Sequence, residues 1–376
     1  MAPFDARSMA SGKWFILRIF LVLLVCYSSK NWVGPIFMST IKPEPDKDSH
    51  HRNETSSISS GDKTATYIQL PLPNASAPPI SFSGCCGIGH RLKRNLPTMV
   101  YAISHSRPLH ANWAHDVMWS VLFNDTANIK QGPAVQEDYA NGMPSNWNNS
   151  SLAWHEKIEP QDKYTAYQHY GEEEQMLFEM PLAQSIVKSL SENLSSLVLS
   201  FLEPMREQYA KSDLHLCVHV REGNNETGDW QRKEWRHIDV ISILNMTLVS
   251  MRKFTKQSNA EKVSVFVASD TKKVRSWFEE NAPADWHVVK PAKELPRPEN
   301  GVWFGEFGSP TNSNLSQNEL NEAMAEAVAD MFALGECDAL FIPSYSSFSI
   351  VGIILARAER RKVFFHWFRE YIEYPS

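Results

Sequence analysis

The second half of the chain alternates between apolar runs with strand character and longer stretches with helical spacing. Residues 214–220 (LHLCVHV) read as a strand, and residues 238–254 place apolar side chains at helical intervals. Residues 263–268 (VSVFVA) form the short apolar run of a buried strand, closed by Ser269-Asp270-Thr271. Asp270 or Thr271 is placed to cap a helix over 272–280. A strand over 286–289, an amphipathic helix over 318–334, a strand over 338–342 (DALFI), a helix over 347–358 and a strand over 363–368 follow. Strands alternating with helices predict right-handed parallel βαβ units. Ligands of such sheets bind at the carboxyl ends of the strands. That rule selects three loops: Arg221 onward, 269–271 and 343–348.

The first half is less regular. Gly84-Cys85-Cys86-Gly87-Ile88-Gly89 opens it, before a helical stretch over 90–104 in which Pro97 predicts a kink or a late start. A short strand is expected over 107–113, long loops over the polar 126–163, and a helix over 181–202. No internal repeat is visible. Ahead of this lies WFILRIFLVLLVCY at 14–27, with Arg7, Lys13 and Arg18 before or just inside it. Basic residues ahead of an apolar run hold the N-terminus in the cytoplasm. The run is shorter than the roughly 20 residues that span a bilayer, and a cleaved signal peptide is the competing reading. Either one sends the body into the secretory pathway. Residues 42–79 are rich in Pro, Ser, Asp, Lys and Thr and poor in large apolar side chains, which predicts a flexible stem. The expected organisation is therefore a cytoplasmic tail over 1–13, a signal-anchor over 14–30, a stem over 31–80, a first lobe over 81–205 and a second lobe over 206–376.

Composition narrows the function classes. The 376 residues are 43% hydrophobic and 21% charged, enough for a substantial core, and the net charge of -6 carries no basic tract that would serve nucleic acid. Asn-x-Ser/Thr sequons at Asn53, Asn74, Asn124, Asn148, Asn149, Asn193, Asn225, Asn245 and Asn314 agree with a secretory route. The five cysteines contain no C-x-x-C pair, so a structural zinc site is not expected. Cys85 and Cys86 are adjacent, so any disulfide would join distant positions; Cys217, inside an apolar strand, reads as a buried thiol.

The chemistry gathers at the strand ends. His219 and Arg221 share one side of their strand. A guanidinium at a strand tip suits a diphosphate, although an Arg paired with a nearby carboxylate is the ordinary alternative. Ser346 and Ser347 begin a helix, where hydroxyls and backbone N–H groups can hold phosphate or simply cap. Asp330 sits on the preceding helix; a solvated surface carboxylate is its ordinary alternative.

Four blocks, in order, carry a resemblance: G-C-C-G-I-G-H-R-L from Gly84, H-V-R-E-G-N from His219, the strand ending in Ser269-Asp270, and D-M-F-A-L-G-E-C-D-A-L-F-I-P-S-Y-S-S-F from Asp330. They resemble the motifs of GDP-fucose-dependent fucosyltransferases, the superfamily of core α1,6, nodulation-factor, α1,2 and protein O-fucosyltransferases. The resemblance implies an α/β fold of GT-B type, with two Rossmann-like lobes and a donor cleft between them. It implies that Arg221 binds the β-phosphate, Asp330 with His219 holds the guanine end, and Ser346 and Ser347 meet the diphosphate. Asp270 and Phe348 would complete the donor site, and Gly87, Gly89 and His90 would approach the donor from the facing lobe. The implied reaction inverts the sugar, needs no metal or cofactor beyond GDP-fucose as donor, and places the enzyme as a single-pass type II protein of the Golgi or endoplasmic reticulum membrane. A general base would come from Glu226 or Asp229, just past Arg221. Glu222 stands where many relatives carry a second Arg, and His90 where several carry Asn or Gln. Trp147 and Trp154 are candidates for stacking on an acceptor glycan. A transferase for another nucleotide sugar, and a non-catalytic glycan-binding scaffold, are the competing readings.

Overall fold

Two parallel sheets organise the chain. The computed structural model describes residues 67–82, 88–113, 118–132, 172–221, 240–291, 293, 295, 315–342, 346–367 and 370–374, which all fall within one unit, Ser60–Ser376. The smaller sheet is β1 (Ile80–Phe82), β2 (Leu109–Ala111) and β3 (Ile129–Gln131), parallel and in that spatial order. The larger is β4 (Leu214–Val220), β5 (Val263–Ser269), β6 (Trp286–Val288), β7 (Ala339–Ile342), β8 (Lys362–Trp367) and β9 (Glu370–Glu373), in the order β6-β5-β4-β7-β8-β9. Its strands run parallel except β9, which pairs antiparallel to β8. The helices are α1 (Ile88–Ser104), α2 (Trp119–Leu122), α3 (Glu172–Glu179), α4 (Pro181–Glu192), α5 (Ser196–Tyr209), α6 (Val240–Ser258), α7 (Lys272–Asn281), α8 (Gln317–Gly335) and α9 (Ser349–Ala358).

The period of two in β4 sorts its side chains between two cores. Leu214, Leu216, Val218 and Val220 join Val263, Val265 and Val267 of β5 and Leu244, Leu248 and Met251 of α6. Cys217 faces the other way, with Phe266, Ala268, Leu340 and Ile342, into the core filled by α5, α8 and α9. His219 and Arg221 therefore belong to the α8 side of the sheet.

Helix α8 starts with a capping box: Ser316 N–H donates to Glu319 Oε2 at 2.7 Å, and Ser316 Oγ accepts from Glu319 N at 3.4 Å. From Met324 to Gly335 nearly every residue is buried, because α5 and α9 as well as strands β4 and β5 pack on the helix. Helix α9, which lies on β7 and β8, also touches α1, α3 and α4, and α1 in turn lies on β1 and β2. At Gly352 an added Cβ would stand 2.9 Å from Leu334 Cβ and 3.2 Å from Met331 O, which is why α9 carries a glycine where it crosses α8.

Several expectations change. Helix α1 runs unbroken through Pro97 from Ile88, with neither a late start nor an interruption. The helix expected over 181–202 is two helices. The first ends at Glu192 with Asn193 as its C-cap, and Ser195 caps the second: its Oγ accepts from Val198 N at 3.2 Å and donates to Val121 O at 2.6 Å. Helix α5 then continues across the expected lobe boundary at 205/206. Strand β3 lies inside the stretch read as loop, and α3, β1 and β9 were not foreseen. Of the two cap candidates, Thr271 is the N-cap residue of α7, without a side-chain hydrogen bond to the helix.

The stem expectation fails over 67–80. Tyr67 donates to Glu359, Ile68 N–H donates to Ser185 Oγ at 2.9 Å, Arg107 holds Pro78 O, and Leu70 and Ile80 pack on the core. Ile68 and Leu72 of the same stretch stay exposed. Cys217 is not a free thiol: it forms a disulfide with Cys337, 120 residues on, with the Cα atoms 5.8 Å apart. Among the described residues no helix is long and apolar enough to cross a membrane, and residues 14–30 lie outside them.

Candidate functional site

The carboxyl end of β4 brings the candidate residues together. Val220 pairs with Ser269 at the end of the β4–β5 ladder, so Arg221 and Asp270 leave neighbouring strands side by side, about 5 Å apart at the backbone. Both are half-buried. Two residues back, His219 is only 4% exposed. Its Nδ1 lies 2.5 Å from Ser349 Oγ, at the first position of α9. Its ring lies 4.9 Å from that of Phe348, tilted by 32°. Burial, and then the positive charge of Arg221, pull the His219 imidazole down to about 3 from its ordinary 6.5. His219 is therefore a neutral hydrogen-bonding group at physiological pH, not a proton donor in acid–base exchange.

The turn before α9 is tightly knit. Ser346 Oγ accepts from Phe348 N at 3.3 Å, Ser346 O from Ser349 N at 3.1 Å, and Ser347 O from Ile350 N at 3.4 Å. Phe348 is the N-cap residue and makes no side-chain cap, so the capping expected of Ser346 or Ser347 reduces to the Ser346–Phe348 contact. The Phe348, Ser349 and Ile350 N–H groups already have acceptors inside the chain, and an anion would have to compete for them.

The smaller sheet meets this turn through α1. An added Cβ on Gly89 would stand 2.5 Å from Phe348 Cα and 2.6 Å from Phe348 N. The clash is with backbone, so only glycine allows this approach. Alanine in a helix ordinarily gains about 0.5–1 kcal/mol over glycine. Gly89→Ala should reverse that sign and lose about 1–3 kcal/mol, measured as a lower urea midpoint at unchanged slope. Next to it, His90 is half-buried and pulled down to about 4 by burial and then by Arg94 and Lys93.

Asp330 is 7% exposed, which overturns the surface reading. It lies on α8 one turn before Ala333, whose carbonyl oxygen is 3.5 Å from the Sγ of Cys217. Its charge contributes, after burial and Glu336, to raising the Tyr209 hydroxyl well above its ordinary range. The structure thus gathers His219, Arg221, Asp270, Ser346, Ser347, Phe348 and Gly89 around one strand end, with His90 following Gly89 in α1. Gly87, Glu226, Asp229, Glu222, Trp147 and Trp154 lie outside the described residues. Ser349 was missed, because nothing in its sequence context separates it from the two serines before it.

A cavity of about 720 Å³ opens at the other end of β4, beside His215, Arg206 and Asp338. Two of its cations are spent within the chain: Arg206 grips Glu336 with both Nε and Nη2, and Arg361 donates to Gly335 O. Among the described residues no group of three His, Cys, Asp or Glu could hold a metal ion.

No family model and no curated protein matches the chain. Solved structures do. One is the NodZ α-1,6-fucosyltransferase soaked with GDP-fucose, at 17% identity and a TM-score of 0.46, over 79% of this chain and 99% of that one; NodZ is a Bradyrhizobium protein. Another is Arabidopsis thaliana FUT1, as a mutant in complex with GDP, at 11% identity and a TM-score of 0.42, over 80% and 71%. A third is POFUT1 in its apo form, at 13% identity and a TM-score of 0.41, over 81% and 100%.

Proposed function

We propose that the chain is an inverting glycosyltransferase that moves fucose from GDP-fucose to a glycan acceptor without a metal ion. The observation that carries the reading is the meeting of Arg221 and Asp270, on adjacent strand ends, with the His219–Ser349 pair at the head of α9. Donor sites of parallel sheets form at such ends. In the reaction the acceptor hydroxyl attacks the anomeric carbon and loses its proton to a carboxylate, Glu226 or Asp229 in our reading, while the bond to the diphosphate breaks. Charge grows on the departing diphosphate, and Arg221 stabilises it. The order of the motif blocks supports GDP-fucose as donor and a GT-B arrangement of two lobes.

We place the body in the lumen of the Golgi or endoplasmic reticulum, held by residues 14–30. The sequons support this, as does the Cys217–Cys337 disulfide, a crosslink that persists in oxidising compartments. The test is incubation of purified chain with GDP- and UDP-sugars and mixed glycan acceptors, alongside calorimetric titration with GDP. Transfer from GDP-fucose alone is expected. Transfer from a UDP-sugar instead would replace the donor. Micromolar GDP binding without transfer to any acceptor would leave a glycan-binding scaffold, and no nucleotide binding would remove the enzymatic reading.

A further inference from the structure

We propose that Ser349 is a positioning residue whose hydroxyl donates to His219 Nδ1, holding the imidazole in the tautomer that carries its proton on Nε2. A neutral imidazole has one donor and one acceptor nitrogen, and the partner of one nitrogen decides the role of the other. The contact is short, 2.5 Å, and both groups are sealed in: Ser349 is 0% exposed and His219 4%. The direction of donation follows from counting protons. His219 is the hydrogen-bond partner that the Ser349 hydroxyl has among the described residues. If Nδ1 donated to Ser349 Oγ, the hydroxyl proton would be left buried without an acceptor, at a cost of about 1–3 kcal/mol. Donation from Ser349 to Nδ1 avoids that cost. The Phe348 ring, 4.9 Å away, restrains the imidazole plane.

The consequence concerns the ligand. An imidazole beside Arg221 and free of Ser349 would favour a lone pair turned toward the guanidinium. Such a lone pair repels a phosphate oxygen. With Ser349 in place, Nε2 carries a proton, and an anionic oxygen bound beside Arg221 would meet that donor instead of a lone pair. This last step rests on the donor reading above; the tautomer itself does not.

The experiment uses the full chain labelled with ¹⁵N at histidine and a two-bond ¹H–¹⁵N correlation spectrum, which separates the two neutral tautomers. The His219 signal is found by its loss in His219→Gln. The expected spectrum is the Nε2–H pattern in the wild type, with a mixed or Nδ1–H pattern in Ser349→Ala. GDP affinity in Ser349→Ala should fall by about tenfold, with partial recovery in Ser349→Cys, which keeps a weak donor. An Nδ1–H pattern in the wild type, or an unchanged Nε2–H pattern in Ser349→Ala, overturns the proposal. Absence of GDP binding in the wild type would defeat the donor reading and leave the tautomer result standing on its own.

Discussion

Arg221→Ala should lower the rate of sugar transfer by roughly 10²–10³-fold, the cost of deleting one preorganised donor to a developing charge. The size follows from position. Arg221 stands one residue beyond the β4–β5 ladder, beside Asp270, half-buried, and close enough to His219 for its charge to depress that imidazole. On the proposed donor reading, a guanidinium there would offer two parallel donors to the diphosphate. Lysine offers a point charge and one direction at a time, so Arg221→Lys should recover part of the rate and little of the specificity. Because the charge on the diphosphate grows as the bond breaks, kcat should fall more than GDP affinity. The change also removes a half-buried side chain, an effect on stability to be read apart from the rate. Steady-state kinetics with GDP-fucose, next to urea unfolding of the same variant, separates the two effects. Wild-type turnover in a folded Arg221→Ala protein would move the active site elsewhere.

What could be read in advance follows from physics that acts locally. Strands β4 and β5 are buried on both faces, and their apolar runs are visible as such. The rule that ligands gather at carboxyl ends then picks out His219, Arg221, Asp270 and the serines before α9, which do converge. Strands β1 and β3 have three residues each, too few for any period, and β9 has four. Helix α8 reads as amphipathic but is buried nearly all round from Met324 onward, because α5 and α9 cover the face the pattern assigns to water. That is how Asp330 comes to be buried. Ser195 divides one apolar helical pattern into two helices through a hydroxyl bonded to Val121, 74 residues away. Ser349, like Ser195, matters through a partner distant in sequence, and no local signal marks such a residue. The close approach at Gly89 is of the same kind: the Gly-rich element is conspicuous, while the surface that needs it, the Phe348 backbone, is 259 residues further on.

The Cys217–Cys337 pair is the other long-range link, and removing it should carry the largest cost in stability. The closed loop of 120 residues contains β5, β6, α6, α7 and α8. Chain entropy alone assigns such a loop about 5 kcal/mol, and measured losses for natural disulfides run from about 2 to 5 kcal/mol. The double variant Cys217→Ala, Cys337→Ala should therefore unfold at a lower urea concentration, by a margin worth about 2–4 kcal/mol. Both cysteines are 0% exposed, so a thiol reductant should leave the folded protein untouched and act only once denaturant opens it. The link also bears on the site. Cys217 precedes His219 by two residues on the same face of β4, and Cys337 follows α8 directly, so the crosslink pins the strand to the helix that carries Asp330. On the proposed donor reading, the double variant should consequently bind GDP less tightly under conditions where it is still folded. Thiol titration of the native and denatured chain, read with the unfolding curves, decides the matter. Two free thiols at these positions in unreduced protein, or a double variant as stable as the parent, would show that β4 and α8 are held by packing alone.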